Sequence, residues 1–451
     1  MTAPDQSAPL SDIAEAMLAA ARAAGAEDVD TVVRRGTSVS VDVRAGALEQ
    51  AERAEGIEIG LRVLLGKRQA CVSSSDIRPD TMRAMAERAV AMAREAPEDP
   101  WIGLAEPGQL VRELPDLDLW DDGGEPAAAA LEATALEAEA AALTVEGVSQ
   151  VQSASASYGG TEMFLAATNG LAAGMSRSSH SLSCTAIAGS GTGMERDYDY
   201  DSRIHHGDLR GAEEIGLSAG RRAAERTGAR KPRTGAYPVL FDERVAGSIV
   251  GHLLSAVNGS AISRGASFLR GDLGKQILPS GMSLTEDPLR PRTFGSRPFD
   301  SEGLPTARRQ IVADGVLQGW TLDLATARKL DMAPTGNAAR GLSSPPSPAT
   351  WNVALTQGDA SRADLLRQMG TGLWVTSMIG STINPNTGDY SRGAAGFWVE
   401  NGEPVYPVNE CTIAGNLRDM FLNMVPANDA RGWLSHVVPS LLIGGLTLAG
   451  Q

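Results

Sequence analysis

Cysteine is scarce: Cys71, Cys184 and Cys411 are the only three, far apart and in no CxxC pair. An odd, dispersed set excludes a disulfide-built scaffold and fits reduced thiols serving as small buried hydrophobes. Histidine is nearly as rare, with His180, His205, His206, His252 and His436, and none lies in HExxH, HxH or a Cys/His pattern of zinc spacing. Adjacent His205 and His206 on one strand would face opposite ways, which argues against their holding one ion. No Walker loop or GxGxxG helix start occurs, and the run Gly189-Ser190-Gly191-Thr192-Gly193 lacks the lysine of a phosphate loop and reads as a turn. No apolar stretch reaches the about 20 residues that span a bilayer. The nearest, Val437 to Ala449, is broken by Pro439, Gly444 and Gly445 and reads as a buried terminal strand. Met1 to Leu10 holds Pro4, Asp5 and Pro9 rather than a basic-then-apolar leader, so a cytoplasmic protein without a membrane partner is expected. Aromatics are thin as well, at seven Phe, seven Trp and six Tyr. Forty Lys/Arg stand against 55 Asp/Glu, a net charge of −15, and such a surface repels phosphate backbones, so no direct nucleic-acid partner is expected.

What is present is a globular Ala/Gly-rich chain of 451 residues, long enough for two or three domains. Ser11 is expected to cap a helix carrying Ile13, Met17, Leu18 and Ala21 on one side and ending at Gly25. From Val29 the apolar period becomes two, through Val39, Val41, Val43, Ile57, Ile59, Leu61 and Val63, which predicts a meander. A second helix from Asp80 to Pro97 is expected to bury Met82, Met85, Ala89 and Met92. An acidic loop around Asp116, Asp118, Asp121 and Asp122 lacks calcium-loop spacing and reads as solvated surface. An Ala-rich helix, Pro126 to Leu143, is followed by strands through a hairpin at Asn169-Gly170, so helix-then-strands occurs twice and hints at internal duplication.

The basic stretch Arg221 to Arg233 reads as an interdomain connection, which divides the chain into an N-terminal α+β domain, 1–233, and a strand-rich C-terminal domain, 234–451. In the second half a strand, Pro238 to Phe241, precedes a helix from about Arg244 to Val257, and hairpins are expected at Asp314-Gly315 and Asn401-Gly402. Alternation there places Phe397 and Val399 on one face and Trp398 and Glu400 on the other, with one face buried. The fold class is mixed α+β.

Several ordered motifs carry a resemblance. Val245-Ala246-Gly247-Ser248-Ile249-Val250-Gly251-His252-Leu253 is one, and Ser267-Phe268-Leu269 and Leu273-Gly274-Lys275-Gln276-Ile277 follow it. With Asp389-Tyr390-Ser391-Arg392-Gly393 running on through Trp398 to Gly402, then Thr412 to Leu417 and Pro439 to Ile443, the chain resembles the PmbA (TldE) branch of the TldD/PmbA family over nearly its whole length.

That resemblance implies a two-domain TldD/PmbA-like architecture and a heteromeric metallopeptidase acting on unfolded or short peptides. It implies a TldD-type partner carrying zinc on an HExxxH helix with a later Cys ligand. Laid without gaps on that helix, this sequence has Gly251 and Ala256 at the His positions and His252 at the Glu. Glycine and alanine have no lone pair to give, so no metal and no catalytic residue is expected in this chain. The approach to the last strand holds no Cys, only His436, and two imidazoles without a positioned carboxylate do not make a zinc centre. His252, Ser391, Arg392, Trp398 and His436 are then candidates for lining a peptide chamber or meeting the partner. The alternatives are a stand-alone homodimeric peptide-binding or regulatory protein, and action on a DNA-associated target, since the family has also been called a modulator of DNA gyrase.

Overall fold

A computed structural model describes residues 8–450. The N-terminal half contains one unit twice. Helix α1 (Leu10–Ala23), strands β1 (Asp28–Arg44), β2 (Ala47–Leu65) and β3 (Arg68–Ser74) and helix α2 (Pro79–Glu95) form the first copy. Helix α3 (Ala128–Leu143), strands β4 (Val148–Ala167), β5 (Ala172–Ala188) and β6 (Glu195–Arg203) and helix α4 (Ala212–Glu225) form the second. The six strands make one sheet in the order β3-β2-β1-β4-β5-β6, joined at its centre by antiparallel β1 and β4. Odd residues of β1 face the helices: Val29 and Val33 pack on α1 and α2, and Val39 and Val41 on α3 and α4. Period-two burial thus places all four helices over one face of the sheet. Helices α3 and α4 touch closely at Gly216, where a Cβ would stand 2.1 Å from the Ala138 carbonyl oxygen.

Several local expectations change. Pro9, not Ser11, precedes α1, and Ser11 bonds Asp12 inside the first turn. Met92 is 47% exposed because the buried stripe of α2 runs through Met85, Ala86, Ala89, Val90 and Ala93. The basic stretch from Arg221 begins inside α4. The three cysteines are free, and burial pushes the Cys184 thiol up to about 12.

In the C-terminal half, strand β7 (Gly235–Phe241) is central to a mixed sheet. It pairs in parallel with strand Gly372–Ile383 and antiparallel with strand Leu441–Ala449. Strands Asp389–Glu400 and Glu403–Asn416 extend the sheet, and Thr412 pairs back with Ala449, closing it on itself. The hairpin between them turns at Asn401 and Gly402, with φ of 53° and 83°, the left-handed pair a two-residue turn requires. A smaller sheet includes Val353–Leu355 and His436–Val437, so the stretch from Val437 to Ala449 belongs to two sheets rather than one strand. The halves meet where Val32 and Leu165 of the N-terminal sheet and Leu171 of the β4–β5 turn pack on Phe299. Among the described residues no helix is long and apolar enough to cross a membrane.

Candidate functional site

The site is built on helix α5 (Glu243–Ala256), which leaves β7 through Asp242. The Asp242 carboxylate accepts from the Arg244 backbone N–H at 3.2 Å, from Arg362 at 3.0 Å and from the Trp374 indole at 3.1 Å, which fixes the start of the helix. Ala246, Ile249, Val250, Leu253 and Ala256 bury one stripe in the C-terminal core. The other side carries Ser248, Gly251 and Ser255. A Cβ at Gly251 would meet nothing within 4 Å, so the position opens outward.

His252 is half-buried and meets the ring of Tyr390 edge-on, with centroids 5.8 Å apart. Burial, then the Arg392 charge, hold its imidazole below the usual histidine range, so it is neutral at pH 7. The Tyr390 hydroxyl lies 3.4 Å from the Met378 sulfur, and burial pushes its phenol up to about 12. Arg392 donates its Nε–H to the Gly380 carbonyl at 2.8 Å.

Arg392 also lines a cleft of about 800 Å³ between β6 on one side and α5 with strands 372–383 and 389–400 on the other. Its walls include Asp197, Arg226, Arg244, Ser248 and Ile379. Asp197 is one of three buried aspartates alternating along β6. Arg244 reaches it at 2.7 Å and Arg226 at 3.3 Å. Next along, Asp199 accepts from Arg210 at 2.7 Å and pairs with Arg222 at 2.9 Å. Burial alone would raise the Asp199 carboxyl, but these cations outweigh it and hold it at about 2. This ladder fixes β6 to α4 and α5 and so sets the width of the cleft.

The residues proposed from sequence separate in space. His252 and Arg392 come together, and Ser391, half-buried beside Arg392, is in register with Ala414. Ala256 is buried in the core at 6% exposure, so it and Gly251 do not face one site. His436 is exposed at the edge of the smaller sheet, in register with Val353, away from the His252–Tyr390–Arg392 group. Trp398 is 1% exposed and packs on Tyr237 at 5.0 Å between ring centroids, so it is core and does not line the cleft. A register shift between Trp398 and Val399 lets both be buried, in different apolar clusters, where alternation had allowed only one buried face.

The acidic loop is likewise engaged rather than simply solvated. Asp118 pairs with Arg292 at 2.5 Å and His205 at 3.1 Å, and Asp121 lies 3.2 Å from His180. His206 lies in a short 3-10 turn after β6, with its ring 5.4 Å from that of His180. Among the described residues no three His, Cys, Asp or Glu side chains are grouped so as to hold a metal ion. The cleft itself escaped the sequence reading. The alternating Asp197, Asp199, Asp201 opposite arginines spaced along α4 was the signal for its wall.

The architecture is a doubled helix-and-strand unit joined to a closed mixed sheet, with a helix running from the central strand along a cleft. Models of the PmbA/TldA metallopeptidase domain 1, central domain and C-terminal domain match residues 29–93, 121–231 and 234–450. Metalloprotease PmbA of Escherichia coli O157:H7 is 38% identical over 96% of this chain and 94% of its own length. The PmbA homolog of Haemophilus influenzae is 35% identical over 94% and 92%. A Bacteroides thetaiotaomicron structure described as a candidate modulator of DNA gyrase superposes with a TM-score of 0.87 at 26% identity, covering 98% of each chain. TldE from Thermococcus kodakarensis shares the fold, with a TM-score of 0.85 at 20% identity over 97% of this chain and all of that one. The chain belongs to the PmbA/TldD metallopeptidase family, on the PmbA/TldE side.

Proposed function

We propose that this chain is the noncatalytic subunit of a heteromeric, cytoplasmic peptidase, in which a TldD-type partner supplies the zinc and the general base and unfolded or short peptides are the substrates. The observation that carries this reading is the outer face of α5. Gly251 opens to space without a donor atom, Ala256 is buried, and His252 is alone between Tyr390 and Arg392. A zinc centre needs three protein ligands and an open position for water, and this donor set does not fit one. No hydrolytic step is therefore assigned to these residues. The role left for the chain is to wall the chamber with its cleft and to bind the partner and the peptide.

Copurification with a TldD-type subunit followed by elemental analysis tests the reading. The isolated chain should retain substoichiometric zinc and the complex about one zinc per heterodimer, the single site of an HExxxH partner. One tightly held zinc per chain in the isolated protein would contradict it.

A further inference from the structure

We propose that Arg392 recognises a carboxylate of the bound peptide, either its C-terminus or an acidic side chain; the proposal rests on the peptide-binding reading above. Most ions of the cleft are already paired. Asp197 is taken by Arg244 and Arg226, Glu195 by Arg226 at 3.6 Å and the Asn409 amide at 3.2 Å, and Glu410 by Lys231 at 3.3 Å. Among the described residues lining the cleft, two cations remain without a carboxylate, Arg196 and Arg392.

These two differ. Arg196 is exposed, bonded at 3.1 Å to the Gln152 side-chain oxygen, and water can solvate its charge. Arg392 is half-buried, and its partners are neutral: the Gly380 carbonyl and the Tyr390 hydroxyl. Its other neighbour, His252, carries no charge at neutral pH and has a buried Nε2 with no hydrogen-bond partner. A partly dehydrated guanidinium without a counter-ion is costly, and an anion entering the cleft offsets that cost. The bond from Nε to a fixed backbone carbonyl orients the planar fork before the ligand arrives, which favours the two-oxygen geometry of a carboxylate.

The surroundings select a peptide carboxylate over a free inorganic anion. Ile379, 77% exposed, and Met378 lie in the same wall and offer apolar surface to a neighbouring side chain. The ligand that satisfies both is an extended peptide with a carboxylate beside an apolar residue.

The test uses the reconstituted complex and one short fluorogenic peptide of neutral, Leu-containing sequence in three forms. One ends in an amide, one in a free carboxylate, and one in an amide with a single internal Glu next to Leu. At least one carboxylate form should have a KM lower than the neutral form by about tenfold, the worth of one charge-assisted hydrogen-bonded pair. Which form gains identifies the source of the carboxylate. Arg392→Gln should erase that preference through KM with kcat little changed, Arg392→Lys should keep part of it, and Arg196→Gln should leave it within about twofold, as for a solvated surface charge. Thermal melts of the variants establish that they are folded. Equal KM for the three forms, or a preference that survives Arg392→Gln, overturns the assignment while leaving the peptidase reading intact. If the wild-type complex cleaves none of the peptides, the peptidase reading fails. Fluorescence anisotropy with the labelled carboxylate peptides then decides the role of Arg392, because absence of Arg392-dependent binding overturns it too.

Discussion

Arg340, from the C-terminal half, forms an ion pair with Asp30 on β1, and both side chains are buried where the two halves meet. Arg62 on β2 reaches the same carboxylate at 2.5 Å. Removing Asp30 leaves two buried guanidinium groups without their carboxylate, a loss of about 3–5 kcal/mol, whereas removing Arg340 leaves Asp30 still paired with Arg62. Asp30→Ala should therefore lower stability by that order in denaturant titrations, with both halves unfolding earlier, and Arg340→Ala should cost less. A loss below about 1 kcal/mol, the value of a surface pair, would show that the junction does not depend on this contact.

Trp398 gives a second outcome. It is 1% exposed, packed on Tyr237, and its indole N–H donates to Glu400 at 3.0 Å. Trp398→Ala should cost about 3–5 kcal/mol, the usual loss for a large aromatic removed from a core. Unchanged stability would contradict its placement inside the closed sheet.

Glu302 makes stability depend on pH. Burial, then the nearby Asp300 carboxylate, raise its folded-state pKa above the ordinary value, so the folded protein holds a proton that the unfolded chain releases above about pH 4.3. Its contribution to stability is thus present at low pH and is lost as pH rises toward the folded value. Glu302→Gln removes that loss and still accepts from the Leu324 N–H, which Glu302 does at 2.8 Å. The variant should gain on the wild type as pH goes from about 5 to about 8 in melting experiments. A difference independent of pH would show that Glu302 is ionised in the folded state.

Much of this architecture was legible because local chemistry and tertiary burial agreed. The Val39-Val41-Val43 alternation, the Asn401-Gly402 turn and the strand-to-helix step at Asp242 each specify one local conformation, and each appears as read. Strand β6 broke the rule. It buries Asp197, Asp199 and Asp201, which alternation assigns to solvent, because Arg244 and Arg226, Arg210 and Arg222, and Arg203 of the strand itself supply counter-charges, most of them from beyond β6. The cleft was illegible for the same reason, since its walls come from β6, α5 and strands nearly 200 residues apart. At α5 the substitutions at the HExxxH positions were visible, but the depth of Ala256 and the pairing of His252 with Tyr390 and Arg392 required packing.

The most direct measurement is peptide hydrolysis in a matrix of this chain alone, a TldD-type subunit alone, the two together, and the mixture with substitutions in either. This chain alone should be inactive, because water without a metal and a positioned base is a poor nucleophile near neutral pH. The mixture should cleave an unfolded peptide, stop with a chelator, and lose activity with any partner HExxxH substitution far more than with His252→Ala. Chelator-sensitive cleavage by this chain alone, abolished by His252→Ala or His436→Ala, would contradict the account.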